Sequence, residues 1–369
     1  MRPLPSRDHV QPVAAAADVA AESATGGSPV RVRAFAPTDR TAWNEFTRRR
    51  ADATFFHLAE WQQVLTQAFG HRSHYLLAES GDRIVGILPL AEVKSVLFGH
   101  ALVSTPFCVY GGIVAENEAA HRALEQRACE LAVHLEVDYL EMRNLTRKHP
   151  GWPAKDLYVT FRKEIQDDAE KNMLAIPRKQ RAALRKGIQK GLSAVIDPTV
   201  DRHYRLYSES LRNLGTPVFS RRFLEVLKET FAEACEVLTV VDGDVAVASV
   251  LSFHFRDEVL PYYGGGSAAA RPLAANDFMY WEVMERARQR GSRTFDFGRS
   301  KRETGAFDFK KNWGFEPTPL YHEYFLVGAQ AMPNLSPTNP KYGRMIRLWQ
   351  RLPLPVARLL GPPVAKFLG

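Results

Sequence analysis

Cysteine is scarce in this sequence, and the short spacings typical of disulfide-rich or zinc-binding proteins are missing. The three cysteines among 369 residues are Cys108, Cys129 and Cys235, and no two of them form a Cys-x-x-Cys pair. An odd number without paired spacing argues against a disulfide framework and against a structural zinc site. We therefore predict no metal centre and a location in a reducing cytoplasm.

Long apolar runs are also missing. Residues 1–28 are rich in Ala, Ser, Gly and Pro and lack the apolar core of a signal peptide, so we interpret them as a disordered leader. Residues 95–115 carry no formal charge, but they include Pro106, three glycines and several hydroxyl side chains. Two buried strands with a turn explain this composition better than a helix that spans a membrane.

Acidic residues are absent from two segments, although the overall composition is that of an ordinary globular protein. The chain is 45% apolar and 24% charged, with a net charge of +8. Residues 178–190 contain six Lys or Arg, and residues 324–369 contain six more, so the rest of the chain is mildly acidic. This distribution indicates local anion contacts, and we expect no DNA partner.

The order of predicted elements occurs twice along the chain. Each half contains a hairpin, around Gly81 in the first and Gly243 in the second, which is followed by a strand, a helix and a strand. In the first half, which starts near Val30, a helix over 61–69 is predicted before the hairpin. The first half places these at 109–112, 118–135 and 137–144, and the second at 260–266, 276–291 and 293–300.

Equivalent positions in the two halves are separated by a nearly constant distance. Tyr110 and Tyr263 lie 153 residues apart, and the two hairpin glycines lie 162 apart. This spacing favours an internal duplication, with a coincidence of α/β patterning as the alternative. We predict an α/β (α+β) fold with mixed sheets flanked by helices. The predicted segments are the leader 1–28, a first domain 29–170, a basic bridging helix 171–195, a second domain 196–330 and a basic amphipathic tail 331–369.

A basic amphipathic helix is predicted between the halves, over 173–192. Leu184, Ile188 and Leu192 form an apolar stripe, and the six cations of 178–190 fall in two adjacent rows. The rows are explained by a solvated face, by a clamp for phosphates, or by contact with the acceptor end of a tRNA. The helix has no aromatic residue on which a base could stack, which disfavours general single-strand binding.

The segment 309–315 reads Phe-Lys-Lys-Asn-Trp-Gly-Phe and places Lys310 among large apolar residues. Either this is a solvated turn with a snorkelling lysine, or the cation is held beside a hydrophobic wall to meet an anion. A preorganised cation beside a developing negative charge typically contributes about 10²–10³ in rate, so Lys310 is a catalytic candidate. Asp296 is either a general base or, as we favour, the ion-pair partner of Arg299. No Gly-x-Ser-x-Gly motif supports a covalent intermediate.

Three motifs in order carry a resemblance to a known family. They are "IPRKQRAALRKGIQKGL", "YYGGGS" followed by "AANDFMYWEVMERARQRGSRTFDFGRS", and "TGAFDFKKNWGFEPTPLYHEYFL". In these motifs the chain resembles the FemAB/FemX-like aminoacyl- and acyltransferases with a GNAT-type fold. In its tail it is similar to the FemAB-related proteins of exosortase/PEP-CTERM exopolysaccharide systems.

The resemblance implies two tandem GNAT-like domains that transfer an acyl or aminoacyl group to an amine or hydroxyl. The implied acceptor is a sugar-nucleotide or lipid-linked saccharide precursor of the cell wall or an exopolysaccharide. The implied donor is aminoacyl-tRNA or acyl-CoA, and it stays open, because the chain has neither a coiled-coil arm nor the glycines of the CoA fingerprint at 271–277. A CoA-dependent N-acyltransferase for a small amine and a non-catalytic module that binds a glycan precursor are the alternatives.

The resemblance also implies roles for individual residues. Phe309 and Lys310 would lie beside the reacting carbonyl, and Tyr263 near the acceptor channel. We add the second-sheet residues Asp296 as a catalytic candidate and Arg299 as a substrate-binding one. The remaining candidates for substrate binding are Lys179, Arg181 and Arg185 of the basic helix, as phosphate or carboxylate contacts, and Asn276.

The C-terminal tail is predicted to contain a basic amphipathic helix over 342–352. Its apolar face includes Trp349, and Arg344, Arg347 and Arg351 occupy the opposite face. Such a helix either contacts an anionic inner membrane peripherally or packs on the body of the protein.

Overall fold

The computed structural model describes residues 29–96, 98–333 and 343–368. The predicted leader 1–28 and part of the predicted tail, 334–342 with residue 369, lie outside the described residues. Among the described ranges, every helix is too short or too polar to cross a bilayer.

The first half of the chain is mainly strands, with its long helix late in the order. Its elements are β1 (Val30–Ala34), α1 (Arg40–Arg49), α2 (Glu60–Val64) continued by a π-helical turn (Leu65–Phe69), β2 (Arg72–Ser73), β3 (Leu76–Ser80), β4 (Arg83–Leu88), β5 (Leu90–Ser95), β6 (Gly99–Ser104), β7 (Val114–Ala115), α3 (Glu118–His134), β8 (Tyr139–Asn144), β9 (Ala154–Lys155) and β10 (Tyr158–Glu164).

The second half opens with four helices and one short strand, and then follows the order of the first half. Its elements are α4 (Ala169–Ala175), α5 (Arg178–Gln189), β11 (Ser193–Ile196), α6 (Asp201–Leu214), α7 (Arg221–Phe231), β12 (Cys235–Asp242), β13 (Val245–Phe255), β14 (Glu258–Gly266), α8 (Ala270–Leu273), α9 (Ala275–Gln289), β15 (Thr294–Asp296), β16 (Ser300–Lys301), α10 (Gly305–Asn312), β17 (Pro317–Pro319), β18 (Tyr321–Leu326), α11 (Gly343–Gln350) and α12 (Leu354–Ala365).

Three sheets form, and two of them exchange a strand between the halves. A small sheet has the order β1-β3-β4-β7, a second has β2-β5-β6-β8-β18-β9, and a third has β11-β12-β13-β14-β15-β10-β16, with β17 paired to β10. Strand β18 from the second half pairs with β8, and β10 from the first half pairs with β15. Each half therefore completes the other's sheet. The predicted α/β class with mixed sheets flanked by helices is confirmed.

Both large sheets contain one parallel pair that separates after a short contact. Strands β6 and β8 pair over three residues, from Ala101–Tyr139 to Val103–Glu141. Strands β14 and β15 pair only at Glu258–Thr294 and Val259–Phe295, and beyond this point β14 stays bonded to β13 alone. The divergence of β14 from β15 opens a gap at the centre of the third sheet.

An aromatic core joins the two halves. The ring of Phe55 stacks on Phe253 with centroids 4.5 Å apart and also contacts Phe231 at 4.6 Å. All three rings are buried, at 0–7% exposure. Because this cluster combines both halves, removing apolar surface from it weakens their association as well as the local packing.

Two local predictions were wrong in form. The strand expected at 109–112 is irregular, because the N–H groups of Gly111 and Gly112 both bond to the carbonyl oxygen of Arg143. Gly112 also packs so closely against the Asn144 side chain that a Cβ atom at this position would overlap with Oδ1. The single helix expected over 173–192 is divided into α4 and α5, with Pro177 capping the second. Of the two interpretations of the Phe-Lys-Lys segment, the solvated turn is not observed, because this segment forms the end of α10, which Thr304 caps.

Candidate active site

The Lys310 ammonium is held by main-chain carbonyls in the gap beside β15. It donates to Phe297 O at 2.7 Å, Gly298 O at 3.0 Å and Arg299 O at 3.1 Å, so its three protons all have acceptors. The rings of Phe161 and Phe297 lie 5.5 and 5.8 Å from Nζ. The ammonium therefore lies beside aromatic rings and not in a solvated turn, but its protons are bound to main-chain carbonyls, so none is free for the oxyanion that Lys310 was predicted to stabilise. Burial lowers the pKa of Lys310 to about 7, while the nearby Asp296 carboxylate and the three carbonyls favour the charged form.

Asp296 fixes the start of the same loop. Its carboxylate accepts from Gly298 N at 2.7 Å, from the Tyr110 hydroxyl at 3.0 Å and from the Thr160 hydroxyl at 3.3 Å. Gly298 has a φ of +64°, which a side chain would strain. Asp296 therefore connects the halves and shapes the loop, and its oxygens are occupied by these donors.

The expected ion pair between Asp296 and Arg299 is not formed. The cation near Asp296 is Arg162, whose Nε lies 3.8 Å from Oδ2 and which also pairs with Glu258. Arg299 instead lies over the Tyr158 ring, with Cζ 4.8 Å from the centroid. The strand geometry explains this, because Arg299 follows the bend at Gly298 and lies outside the strand β15 that holds Asp296.

A cavity of about 320 Å³ occupies the gap between β14 and the 297–300 loop. We call it the C-terminal cavity, and its polar lining consists of Tyr262, Tyr263, Tyr280, Arg299, Ser300 and Lys310.

Two buried hydroxyls of this cavity have no hydrogen-bond partner among the described residues. They belong to Tyr263, which is 8% exposed, and Ser300, which is 6% exposed. Burial raises the pKa of Tyr263 well above its usual value, so its hydroxyl is neutral and able to donate. Buried polar atoms are normally paired, so these two hydroxyls are candidate donors to a ligand of this cavity.

Close packing of Tyr280 depends on Gly264. A Cβ at this position would lie 2.9 Å from the Tyr280 hydroxyl. The Tyr280 ring also contacts Phe297 at 4.8 Å and Phe309 at 5.6 Å. Because Gly264 has no side chain, the Tyr280 side chain can pack beside it and form part of the cavity wall.

The structure gathers only some of the predicted site residues. Tyr263, Arg299 and Lys310 line the C-terminal cavity, whereas Phe309 packs behind it against Tyr280 and Trp313. Asn276 lies in the first turn of α9, outside the lining of this cavity. The basic-helix residues Lys179, Arg181 and Arg185 are also outside it.

The basic helix α5 presents its cations to solvent. None of the six cations of 178–190 forms an ion pair with a residue that the structure describes. Four of the α5 residues, Arg178, Arg181, Arg185 and Lys186, surround a shallow depression of about 350 Å³. Gln180 donates to Asp277 at the start of α9, and Asp277 accepts from Trp313 Nε1 at 3.0 Å, so α5 is attached to the elements that carry Lys310.

Sequence reasoning missed Ser300 and Tyr280 as lining residues. Residues 293–300 were expected to form one regular strand, but β15 ends at Asp296 and the chain bends at Gly298, so Arg299 and Ser300 line the cavity. A sequence signal for this bend was the Gly-Arg-Ser run that begins two residues after Asp296.

The described part of the tail packs on α6 and exposes apolar residues. The Arg358 side chain donates to the Ser208 hydroxyl at 2.8 Å, and Gly361 packs on Val218, where a Cβ would come within 2.8 Å of the carbonyl oxygen. Met345, Leu348 and Leu359 are nevertheless 65–74% exposed. Packing on the body is therefore observed, and a membrane contact stays a prediction.

Comparisons with known proteins agree with this architecture. Residues 178–311 match the family model described as an acetyltransferase (GNAT) domain, which supports an acyltransferase. No curated protein matches the sequence.

Among solved structures, FemX superposes with a TM-score of 0.64 at 13% identity, covering 86% of this chain and 100% of that chain. A tandem GNAT protein from the clavulanic acid biosynthesis pathway superposes with a TM-score of 0.51 at 13% identity. The match covers 82% of this chain and 100% of that chain. The C-terminal domain of a putative lysylphosphatidylglycerol synthetase from Agrobacterium fabrum superposes with a TM-score of 0.54 at 14% identity. The match covers 78% of this chain and 91% of that chain. At these identities the likeness concerns the fold, and the chain has a FemX-like tandem GNAT fold whose C-terminal half carries the match to the acetyltransferase domain.

Proposed function

We propose that this protein transfers an acyl or aminoacyl group to an amine or hydroxyl of a saccharide precursor for the cell wall or an exopolysaccharide. The observation that carries the proposal is the C-terminal cavity, where the Tyr263 and Ser300 hydroxyls are buried without partners. The family match of residues 178–311 supports the reaction class. The association with exosortase/PEP-CTERM systems rests on the sequence resemblance alone.

In this proposal the cavity supplies hydrogen-bond donors to the reacting carbonyl. The acceptor nitrogen or oxygen attacks the acyl carbonyl carbon, and the carbonyl oxygen becomes a transient oxyanion. Tyr263 and Ser300 are donors available to that oxygen. The bond to the donor's thiolate or ribose oxygen then breaks, and this leaving group takes the proton that the acceptor loses. Removing one such donor typically costs about 10²–10³-fold in rate.

Lys310 acts in this proposal through the loop that it holds. Its ammonium fixes the carbonyls of 297–299, and these residues form one wall of the cavity. Its charge also strengthens the local field in a site of low polarity. Asp296 acts in the same way, through Gly298, and is not needed as a base.

The basic helix favours a donor that carries phosphates. Its unpaired cations lie on the helix that contacts the start of α9, beside the elements of the cavity. Both acyl-CoA and aminoacyl-tRNA satisfy this requirement. The match to an acetyltransferase domain favours, as the second candidate function, a CoA-dependent N-acyltransferase for a small amine.

The test is mass spectrometry of sugar-nucleotide and lipid-linked pools in cells with and without the gene. An unmodified precursor is expected to accumulate in its absence, and complementation with Tyr263→Phe or Lys310→Ala should fail to remove it. Lys311→Ala is the matched control, since Lys311 is the exposed neighbour of Lys310 on α10. Identical pools with and without the gene would contradict the proposal. Protection of the purified protein by acetyl-CoA against thermal unfolding would favour the second candidate.

A further inference from the structure

The C-terminal cavity is bordered mainly by rings, and none of the described residues that line it is acidic. Of these described residues, only Arg299 and Lys310 are charged. Most of the others are apolar or aromatic, and Phe107 and Val109 come from the first half of the chain. The aromatic residues of the lining are Phe107, Phe219, Tyr262, Tyr263, Tyr280 and Phe297.

Two of these rings, Phe107 and Phe219, pack together and are held in place from several sides. The Phe107 ring stacks on Phe69 with centroids 4.3 Å apart and meets Phe219 edge-on at 5.6 Å. The carbonyl oxygen of Phe107 accepts from the Tyr262 hydroxyl at 2.8 Å. Its φ is +70°, in the left-handed region, where a bulky residue is strained and persists only when its surroundings fix it. The packing around the cavity therefore determines where this ring lies.

The cavity is larger than a two-carbon acyl group needs. Its volume is about 320 Å³. For comparison, a dry apolar cavity of about 150 Å³ holds one benzene molecule. The space beside the Tyr263 and Ser300 hydroxyls therefore accommodates an acyl group with a ring or a branched chain, as well as the reacting carbonyl.

An ammonium group on the acyl chain would find no carboxylate among the described residues that line the cavity. The nearby Asp296 is 1% exposed, and its oxygens already accept from three donors of the protein. The carbonyl oxygens of 297–299 accept from Lys310. An added ammonium would instead lie near the cations of Arg299 and Lys310, in a site of low polarity where like charges repel strongly.

The rings of the cavity favour hydrocarbon over a further cation. Aromatic faces attract cations, but Phe297 already has Lys310 Nζ 5.8 Å from its centroid. Phe107 and Phe219 pack ring against ring, and they present apolar surface to the cavity. Burying hydrocarbon against such a surface is favourable in proportion to the area removed from water.

We propose that the group transferred in the C-terminal cavity is neutral and apolar, a branched-chain or phenyl-substituted acyl group, and that Phe107 and Phe219 select it against an aminoacyl group. The inference rests on the proposed function for the reaction and for the place of the reacting carbonyl at Tyr263 and Ser300. In the transfer, the carbonyl carbon bonds to the acceptor nitrogen or oxygen and its bond to the donor's sulfur or oxygen breaks. The leaving group takes the proton of the acceptor. The inference concerns the acyl group and not its carrier.

The test is a ligand-observed NMR titration of the full chain with small amides that represent the acyl group without a carrier. The N-methylamides of 3-phenylpropanoic acid and of phenylalanine differ only in the α-amino group, and N-methylacetamide lacks the side chain. At about pH 6, where an α-amine is charged, the 3-phenylpropanoic amide should bind at least about 10-fold more tightly than either of the others. At about pH 9 the phenylalanine amide should approach it, because its amine is then neutral.

Variants of the two rings assign this selectivity to them. Phe107→Gly, which suits the positive φ, and Phe219→Ala should each weaken binding of the 3-phenylpropanoic amide about 5-fold or more. Phe219→Glu should bring the phenylalanine amide to equal or tighter binding at about pH 6. Phe35→Ala is the matched control, because Phe35 is a half-buried ring that packs on Trp43 outside the cavity. Thermal unfolding of each variant verifies that it is folded.

Equal or tighter binding of the phenylalanine amide to the wild type at about pH 6 would overturn the inference. Absence of binding by all three amides, or an equal loss in Phe35→Ala, would also overturn it. The titration involves no acceptor and no turnover, so the expected binding pattern with unchanged precursor pools in cells lacking the gene would reject the proposed function and retain the selectivity of the cavity. Accumulated precursor with a preference for the phenylalanine amide would reject this inference and retain the proposed function.

Discussion

The hydroxyl of Tyr110, in the first half of the chain, donates to the carboxylate of Asp296 in the second half across 3.0 Å. Both residues are buried, at 2% and 1% exposure. The same hydroxyl lies 2.6 Å from Thr160 Oγ1 on β10, the strand that the first half inserts beside β15. This contact therefore connects the exchanged strand, the 297–300 loop and the irregular segment before β7.

Replacing Tyr110 by Phe should destabilise the protein by about 1–3 kcal/mol, because a buried carboxylate loses a donor. Urea unfolding followed by circular dichroism measures this free energy. Tyr204→Phe is the matched control, since the Tyr204 ring packs under Arg358 at the edge of the core between the halves and its hydroxyl forms no hydrogen bond with a residue that the structure describes. Equal stability of the two variants would mean that the Tyr110–Asp296 contact contributes nothing.

Phe55→Ala should cost about 3–5 kcal/mol, as is typical of a fully buried aromatic side chain in a core. Because Phe55 contacts Phe231 and Phe253 of the other half, the loss should also weaken the coupling of the halves. Calorimetry of the variant is expected to show a broader transition or two transitions where the wild type has one. A single sharp transition at an unchanged temperature would contradict the role of this cluster.

The stability contribution of Lys310 should depend on pH. Its folded-state pKa of about 7 lies below the ordinary value of 10.5, so between these values the unfolded chain binds more protons than the folded one. The free energy of unfolding of the wild type, relative to Lys310→Met, should therefore rise with pH through this window and be lowest below pH 7. Guanidinium unfolding of both proteins at about pH 6.5 and about pH 9.5 measures the difference. If the free energies of unfolding of the two proteins changed equally between these pH values, the three carbonyls would be keeping Lys310 protonated throughout.

The tail should bind anionic lipid surfaces. Met345, Leu348 and Leu359 are exposed on α11 and α12, and the predicted basic face of this segment carries Arg344 and Arg347. We expect the protein to cosediment with vesicles that contain phosphatidylglycerol, more weakly as salt increases, and Leu348→Glu with Leu359→Glu should reduce binding. Val133→Glu is the control, being an exposed apolar residue on α3. Equal sedimentation of wild type and double variant would leave packing on α6 as the role of the tail.

Local features of the fold were predictable because they depend on neighbouring residues. The hairpins form at Gly81 and Gly243, whose φ values of +61° and +57° suit glycine. Helix α3 begins where Asn117 caps it, and α9 follows the apolar pattern of 276–291 closely. Lys310 stood out because a charged residue between Phe309 and Trp313 conflicts with the local apolar pattern.

The partners of those residues were not predictable in the same way. Asp296 bonds to Tyr110 and Thr160 rather than to Arg299, three residues further along the chain, and β10 and β18 each pair with a strand from the other half. The apolar pattern of a strand indicates which of its faces is buried, but it does not indicate which distant strand hydrogen-bonds to its edge. The sequence alone determined most of the elements and their turns, since propensity and periodicity act over a few residues, and its motifs carried the resemblance that implies the reaction class. Only the tertiary structure decided which buried polar groups meet and which are left without a partner, since that depends on packing between segments more than 100 residues apart.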